Sequence, residues 1–579
     1  MRKIMNYLLM GAMVCGISLA ATSCSKSDDD DVLTPPVQPE EVDDGANSSS
    51  FDVGYVECSW DGTQVVKTNQ VANATNLATC SLPGSGSYLY LDDGQKYYVS
   101  GSLSISGVLR VNGGKKVDLI LCDGSRLTVK EIRVEGVGSR LRIFGQERGT
   151  GTLTINAPSN GCAAIGCASE EYCDIEIHGG VIKVKGGYGA AAIGGGYKTT
   201  FSDEYIGTAF STISIFGGTI DATGGDCSAA IGGSALSKNG GHIYIYGGDI
   251  TAQGGDDSYG SVSFNGGAGI GGGHFTSFES LNIYGGNIKA TGGEDAAGIG
   301  GGESFTNGAG VVNIHGGHII AQGADYAAGI GGGDGRRLKS ITITDGEVYA
   351  YAGVDGAGIG GGEDGDSGDI NIYGGVVRAY GDRNASGSHK GYGAGIGSGQ
   401  DGSVNTIIIK GGDVAAYGGE DAAGIGTGEE YQKDGINSGT IEIHGGKVWA
   451  EGKGYGAGIG AGEDATFGVL GISGGRVDAH AGSDCYPWSG GIGAYHSEHS
   501  SDTDGCHIGW AGWERIYIGK GMRLWTYSPN VGYVETVTNN MHWWDFVHQR
   551  PQVAFGECDH PGYTEATCPF CYRETLQLR

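Results

Sequence analysis

A short run of the form Ala-Gly-Ile-Gly-Gly-Gly returns, with small changes, around Ile165, Ile193, Ile231, Ile270, Ile299, Ile330, Ile359, Ile396, Ile425, Ile459 and Ile492. After the first occurrence, a second signature precedes it each time: apolar-x-apolar-x-Gly-Gly, as in Ile283-Tyr284-Gly285-Gly286 and Ile314-His315-Gly316-Gly317. From the first position of that glycine pair to the isoleucine is 14 residues in seven of ten cases, which marks a fixed structural rung. A chain of 579 residues would otherwise suggest several domains. In a repeat array each unit buries its apolar face only against its neighbours, so one long domain is expected.

A single unit reads as strand (Ile372, Tyr373), Gly-Gly, strand (Val376 to Tyr380), turn, strand (Ala394 to Gly397), then a variable loop. Three short strands in about 29 residues approximate one coil of a three-sided solenoid, whereas a propeller blade needs four strands and about 40 residues or more. The expected fold is all-β, a single-stranded right-handed parallel β-helix with N- and C-terminal caps. Ile, Val and Ala point inward, and glycines make the corners because they accept positive φ. The 118 glycines carry no Gly-X-Y period, so a collagen-like chain is excluded. Residues 51–160 read as an N-terminal cap and the first coils: 86–160 alternate like strands without the glycine signature, and 51–85 show no such pattern and fit a cap or small flanking piece. The glycine-rich repeats occupy 161–500. From 501 to 579 the pattern stops, and five of the eight tryptophans gather there, as suits a C-terminal cap.

The start of the chain reads as an export signal: Arg2 and Lys3, an apolar run, then Ala21-Thr22-Ser23 before Cys24. Small residues directly before a cysteine resemble a bacterial lipoprotein signal, which implies that residues 1–24 are a leader ending in a lipidated Cys24. The acidic run from Asp28 to Asp31 resembles the export signal of surface lipoproteins of the Bacteroidetes and implies a lipid anchor at the cell surface, on the outer membrane. Residues 25–50, acidic and rich in Pro and Ser, would be the tether. The net charge of −30 opposes nucleic-acid binding and means that a polyanionic ligand needs a local basic cluster or a bridging divalent cation. Nothing in the pattern asks for an oligomer, and a monomer is expected. Cys58 with Cys80, or Cys485 with Cys506, are candidate disulfides. At the C-terminal end Cys558, His560, Cys568 and Cys571 have spacing suited to structural Zn2+, or equally to one disulfide and a spare thiol.

Two columns should face away from the core. The residue before each glycine pair gives His178, Phe216, Tyr246, Tyr284, His315, Thr344, Tyr373, Lys410, His444 and Ser473. One coil apart, such rings suit the stacking of sugars, and they equally suit the coils themselves. The residue four before each isoleucine gives Asp295, Tyr326, Asp355, Tyr392, Asp421, Tyr455 and Trp488, which fits either a carbohydrate or an aspartate capping a turn. Acids after the glycines, among them Glu303, Asp334, Glu363, Glu429 and Glu463, could hold Ca2+ or form a solvated edge. Basic residues are scarce. Arg336, Arg337 and Lys339 share one loop, and Arg378, Arg383, His389 and Lys390 lie one rung on, an arrangement that could clamp a carboxylate or sulfate.

The opening Asp118-Leu-Ile-Leu-Cys-Asp-Gly, then Ile143-Phe-Gly-Gln and Gly149-Thr-Gly-Thr-Leu-Thr, is similar to the start of gut-bacterial surface proteins built on Gly-Ile-Gly-Gly-Gly repeats. With its leader and repeat style, the chain also resembles glycosaminoglycan-cleaving polysaccharide lyases, polysaccharide lyase family 29 among them. That resemblance implies β-elimination on a uronic-acid polysaccharide such as chondroitin or dermatan sulfate or hyaluronan, and it fixes no catalytic position. Elimination needs a carboxylate neutraliser, a base and an acid, and Arg378, Arg383, His389, Lys390 and Tyr392 supply those chemical types together. Tyr284, His315, Tyr373, Arg336, Arg337, Tyr417 and Tyr455 are the candidate contacts to the glycan, and Ca2+ is a candidate cofactor at the site. The alternative is a non-catalytic carbohydrate-binding or adhesion solenoid.

Overall fold

The computed structural model describes residues 50–493 except 157, 168–171, 199–205, 208–209, 237–239, 257–265, 304–309, 383–390, 431–438, 466–467 and 484–490, and beyond them only the strands Ile516–Ile518, Arg523–Ser528, Gly532–Val537, Trp544–Asp545 and Arg550–Pro551. Each coil of the repeat region contributes three strands. A four-residue strand such as Val311–Ile314 joins the first stack, a five-residue strand such as His318–Gln322 joins the second, and a two-residue rung such as Ile330–Gly331 joins the third. Every strand pairs in parallel with its counterpart one coil away: Ile314 with Ile343, Ala321 with Ala350, Ile330 with Ile359. The chain is a parallel β-helix, as the period predicts.

Alternation does the sorting. In the strand Val376–Tyr380, Val377 and Ala379 are fully buried while Val376, Arg378 and Tyr380 face outward. The inward residues form one continuous core from Leu77 to Ile492. Burying each isoleucine contributes about 1.5–3 kcal/mol, and only stacking on both neighbours completes that burial.

Earlier coils show where the third side comes from. Arg126–Glu135 is one long strand whose first half pairs with Thr152–Ile155 of the second stack and whose later residues, Ile132 and Arg133, pair with Ile165–Gly166 of the third. From Ile165 onward a turn separates the two halves.

One expectation about the glycines is corrected. The glycine after each motif isoleucine is a rung, not a corner: Gly360 pairs in register with Gly397, and Gly397 with Gly426. All eleven of these glycines have φ between 132° and 151°, and a Cβ on Gly397 would lie 1.7 Å from the Gly426 carbonyl oxygen. The true corners are elsewhere, for instance Gly317 with φ 98° before the second-stack strand.

Both ends close with antiparallel strands. At the C-terminal end Arg523–Ser528 continues the second stack and pairs antiparallel with Gly532–Val537. At the N-terminal end Ser50–Trp60 and Val65–Asn76 form a hairpin whose base joins the first stack through Thr75 and Tyr97. Such closures cover the first-stack edge at the N-terminal end and the second-stack edge at the C-terminal end.

Candidate functional site

The outward column of the first stack is real, but its rings face each other. Phe144, His178, Phe216, Tyr246, Tyr284 and His315 form an unbroken pile with centroid spacings of 4.4 to 5.1 Å and interplanar angles of 10 to 21°. Their π-faces are consumed within the pile, and a sugar could reach only their edges. Beyond His315 the column continues with polar links: His315 Nδ1 lies 3.1 Å from Thr344 Oγ1, and the Lys410 ammonium sits 5.3 Å from the Tyr373 ring.

The N-terminal hairpin runs along this pile as a strap. Tyr55 packs edge-on against Phe144, and Gln146 Nε2 donates to the Gly54 carbonyl. Arg142 bonds Glu57, and the Cys58 N–H donates to His178 Nδ1 at 3.1 Å. Since Nδ1 accepts, the His178 proton sits on Nε2, which faces Glu176. At the tip Trp60 packs on both Tyr246 and Tyr284, with centroids 5.3 and 5.1 Å away. The strap also rules out the expected Cys58–Cys80 bridge. Cys58 stands opposite Lys67, nine extended residues from Asn76, whose carbonyl faces Cys80, which is about 30 Å at the strand rise of about 3.3 Å per residue.

On the second stack, three columns point outward between residues 318 and 480. The outermost reads Gln322, Tyr351, Tyr380, Tyr417, Glu451 and His480. Tyr351, Tyr380 and Tyr417 stack at 4.9 and 5.0 Å with planes within 7° of parallel. Burial between neighbours pushes the Tyr380 phenol up. Beside them Ile320, Gln322, Tyr351, Tyr380 and Asp382 line an open groove of ≈ 470 Å³. The middle column carries Tyr349, Arg378, Ala415 and Trp449. Arg378 Nη2 is 3.0 Å from Asp413, which also takes Lys447 at 3.1 Å.

The corner before each third-stack rung resolves the Asp/Tyr alternation in favour of capping. Asp295, Tyr326, Asp355 and Asp421 have φ of 54 to 66°, where aspartate is better tolerated than most residues. Asp355 accepts from the Tyr392 N–H of the next coil, and Asp421 from the Tyr455 N–H. The acids that follow the rung fold back onto this corner. The Glu429 N–H donates to the Tyr392 carbonyl, and the Glu463 N–H to that of Asp421. The result is an acidic seam. Burial, then the charge of Asp334, pushes Asp295 up to about 7, and burial pushes Asp355 up to about 6. Glu429 and Glu463 rise to about 7, by burial first and by the nearby Asp421 next. Oxygens of Asp421, Glu429 and Glu463 lie within 4.8 Å of one another, an all-oxygen set of the kind hard divalent cations take.

Among the described residues, the remaining expected site residues do not converge. Arg336 is 2 % exposed and turned inward, its guanidinium bonding the Thr276 carbonyl, so it cannot clamp a ligand at the surface. Burial lowers its pKa to about 10. Arg337 pairs with Asp366 at 2.9 Å, so the basic cluster expected with Arg378 is divided between the interior, a loop and the second stack. Tyr284 lies under Trp60, whereas Tyr373 is exposed. Arg383, His389, Lys390, Cys24, Cys558, His560, Cys568 and Cys571 lie outside the described residues. Sequence reasoning named Tyr417 and passed over Tyr351 and Tyr380, although the same position, three residues after the inward Val348, Val377 and Val414, carries all three.

Among the described residues no helix is long and apolar enough to cross a membrane. No curated protein and no solved structure matches the chain. A beta helix repeat model matches nine segments, 175–197, 213–235, 243–274, 281–303, 312–334, 341–363, 370–400, 407–429 and 441–463. Each segment begins within the first-stack strand and ends just past the third-stack rung, so the match and the coils share one register. The chain is therefore a single-stranded parallel β-helix, nine of whose segments are similar to the beta helix repeat, an architecture consistent with binding or acting on polysaccharide.

Proposed function

We propose that the protein is a cell-surface glycan-binding solenoid and that its working face is the outer side of the second stack between residues 318 and 480. The observation that carries this reading is the groove of ≈ 470 Å³ walled by Tyr351 and Tyr380, with Gln322, Asp382 and Ile320 beside them. Uncovered ring edges, a carboxamide and a carboxylate supply the mixture of apolar contact and directed hydrogen bonds that sugar hydroxyls require. The parallel columns favour a linear glycan extended along the solenoid axis. An acidic glycan would meet Arg378 and Lys447 there, and Ca2+ is the proposed bridge between its carboxylates and the acidic seam. Leader and tether, on this reading, hold the solenoid at the outer membrane by the Cys24 lipid alone, as a monomer.

A second reading is the uronate lyase. What favours it is position: Asp382 of the groove directly precedes Arg383, the same segment carries His389 and Lys390, and Tyr392 follows it. Arg378 would neutralise the uronate, His389 or Lys390 would take the C5 proton, and Tyr392 would protonate the leaving oxygen.

The test is affinity electrophoresis of the chain lacking residues 1–24 against chondroitin, dermatan, hyaluronan, heparan, pectin and alginate, with and without calcium. In parallel the ultraviolet absorbance of unsaturated uronate is followed. Retardation without absorbance supports binding. Absorbance that His389→Ala, Lys390→Ala or Tyr392→Phe reduces supports the lyase. Neither signal on any glycan defeats both readings.

A further inference from the structure

We propose that Cys167 and Cys173 form an intrachain disulfide that locks the first regular coil, a redox site separate from any glycan face. Their Sγ atoms lie 2.7 Å apart, inside van der Waals contact, and each residue is 1 % exposed. Their backbone positions are fixed independently on opposite sides of the intervening segment. The Cys167 N–H donates to the Gly194 carbonyl of the next coil, while the Cys173 carbonyl accepts from the N–H groups of Ser211 and Thr212. Two side chains held by separate ladders and aimed at one point have their sulfurs within a small side-chain adjustment of bonding distance.

The location gives the bridge a purpose. Cys167 follows Ile165–Gly166, the first two-residue rung of the third stack. Cys173 precedes Asp174–Ile177, which pairs back to Arg140–Gly145 and forward to Thr212–Ile215. The pair therefore sits where the long bent strands of the early coils give way to the regular repeat. In the later coils the residue two beyond the isoleucine is glycine at 233, 272, 301, 332 and 361 and Ser398, Thr427 or Ala461 further on, and where it is glycine the following loop or the next coil takes up the room. Among the described residues, two sulfurs meet at this position in this coil alone. Cys162 is a third buried thiol nearby but is drawn elsewhere, with its sulfur 3.3 Å from Arg133 Nη2.

The bond forms by thiol–disulfide exchange. One thiolate attacks a disulfide-bearing oxidant, oxidised glutathione or an oxidised dithiol protein, and releases its first thiolate; the second cysteine thiolate then attacks the protein sulfur of the mixed disulfide and releases the other. The two cysteines lose two electrons and two protons, and the oxidant leaves as two thiols.

The test uses the full chain, reduced and then incubated with oxidised glutathione, denatured in acid, alkylated and digested. Trypsin leaves Cys162, Cys167 and Cys173 on one peptide, between Arg148 and Lys183, and a glutamate-specific protease cuts after Glu170 and Glu171, between the last two cysteines. The expected product carries one alkyl group, on Cys162, and weighs two hydrogens less than the same singly alkylated peptide with two free thiols. Its halves stay joined after glutamate-specific cleavage until reductant is added. Cys162→Ser should leave the bridge intact, and Cys167→Ser should leave Cys173 alkylated. Three alkyl groups after oxidation, or the single alkyl group on Cys167 or Cys173, overturns the proposal.

Discussion

Two outward columns of this solenoid obey the same rule and differ in what lies over them. On the first stack, rings from Phe144 to His315 pile at one-coil spacing beneath a strap that ends at Trp60. On the second, Tyr351, Tyr380 and Tyr417 pile at the same spacing and border an open groove. A ladder of rings is therefore a by-product of stacking equal positions one coil apart, and by itself says nothing about ligands. Exposure separates the two: the first column spends its surface on the strap, and the second retains an edge that a ligand can use.

The largest expected effect removes both columns at once, because both rest on the third-stack rungs. Gly397→Ala sets a Cβ against the Gly426 carbonyl, where the nearest atoms are all Gly426 backbone and no flexible side chain is there to yield. The cost should exceed about 4 kcal/mol, and circular dichroism should show loss of cooperative melting. A variant that melts like the parent would mean the Gly–Gly rung is not as tight as described here.

Next come the strap contacts. Tyr55→Ala removes a 7 % exposed ring that packs on Phe144, and should destabilise by about 2–4 kcal/mol. Trp60→Ala, with its ring only half-buried, should cost about 1–2 kcal/mol. Both should make the 50–76 segment more sensitive to limited proteolysis without weakening retention by glycan. Weakened retention would show that the covered column, not the open one, is the binding face.

The converse substitution tests the open column. Tyr380→Ala loses two ring contacts, worth about 0.5–1.5 kcal/mol each in stability. It should also weaken glycan retention about tenfold, or about 1.4 kcal/mol. Tyr284→Ala should leave retention unchanged. Equal effects from Tyr380→Ala and Tyr284→Ala would erase the distinction between the columns.

The fold was legible because strand alternation and the 14-residue spacing act locally and repeat, so each coil restates the same evidence. Which side of each strand points inward followed from that register, as did the outward identity of Tyr373 and Tyr417. What covers an outward residue was not legible. Trp60 meets Tyr284 from 224 positions away, and no periodicity links a hairpin to the face on which it lies. Arg336 failed for a related reason: at its place in the loop the alternation rule no longer applies, and the chain turned it into the space beneath Gly301 and Gly272. Glycine's two roles, rung and corner, share one letter and separate only through φ.

The smallest expected effect concerns the acidic seam. Asp295, Asp355, Glu363, Glu429 and Glu463 hold their protons up to about 6 or 7, chiefly through burial, whereas unfolded carboxylates release theirs near 4. Between those limits the folded state binds more protons than the unfolded state, so stability falls as pH rises from about 4 to about 7 and then levels off. Partial solvent screening keeps the change small, and a melting temperature about 2 °C higher at pH 5.5 than at pH 8 is expected. Glu429→Gln should recover part of that difference at pH 8, because it removes one charge facing Asp421 and Glu463 while retaining the shape. Millimolar calcium should do the same at pH 8 and little at pH 5.5, where protons already occupy the seam. A melting temperature that rises from pH 5.5 to pH 8 without calcium would mean that these carboxylates are stabilised as anions, and that the seam is better paired than its geometry indicates.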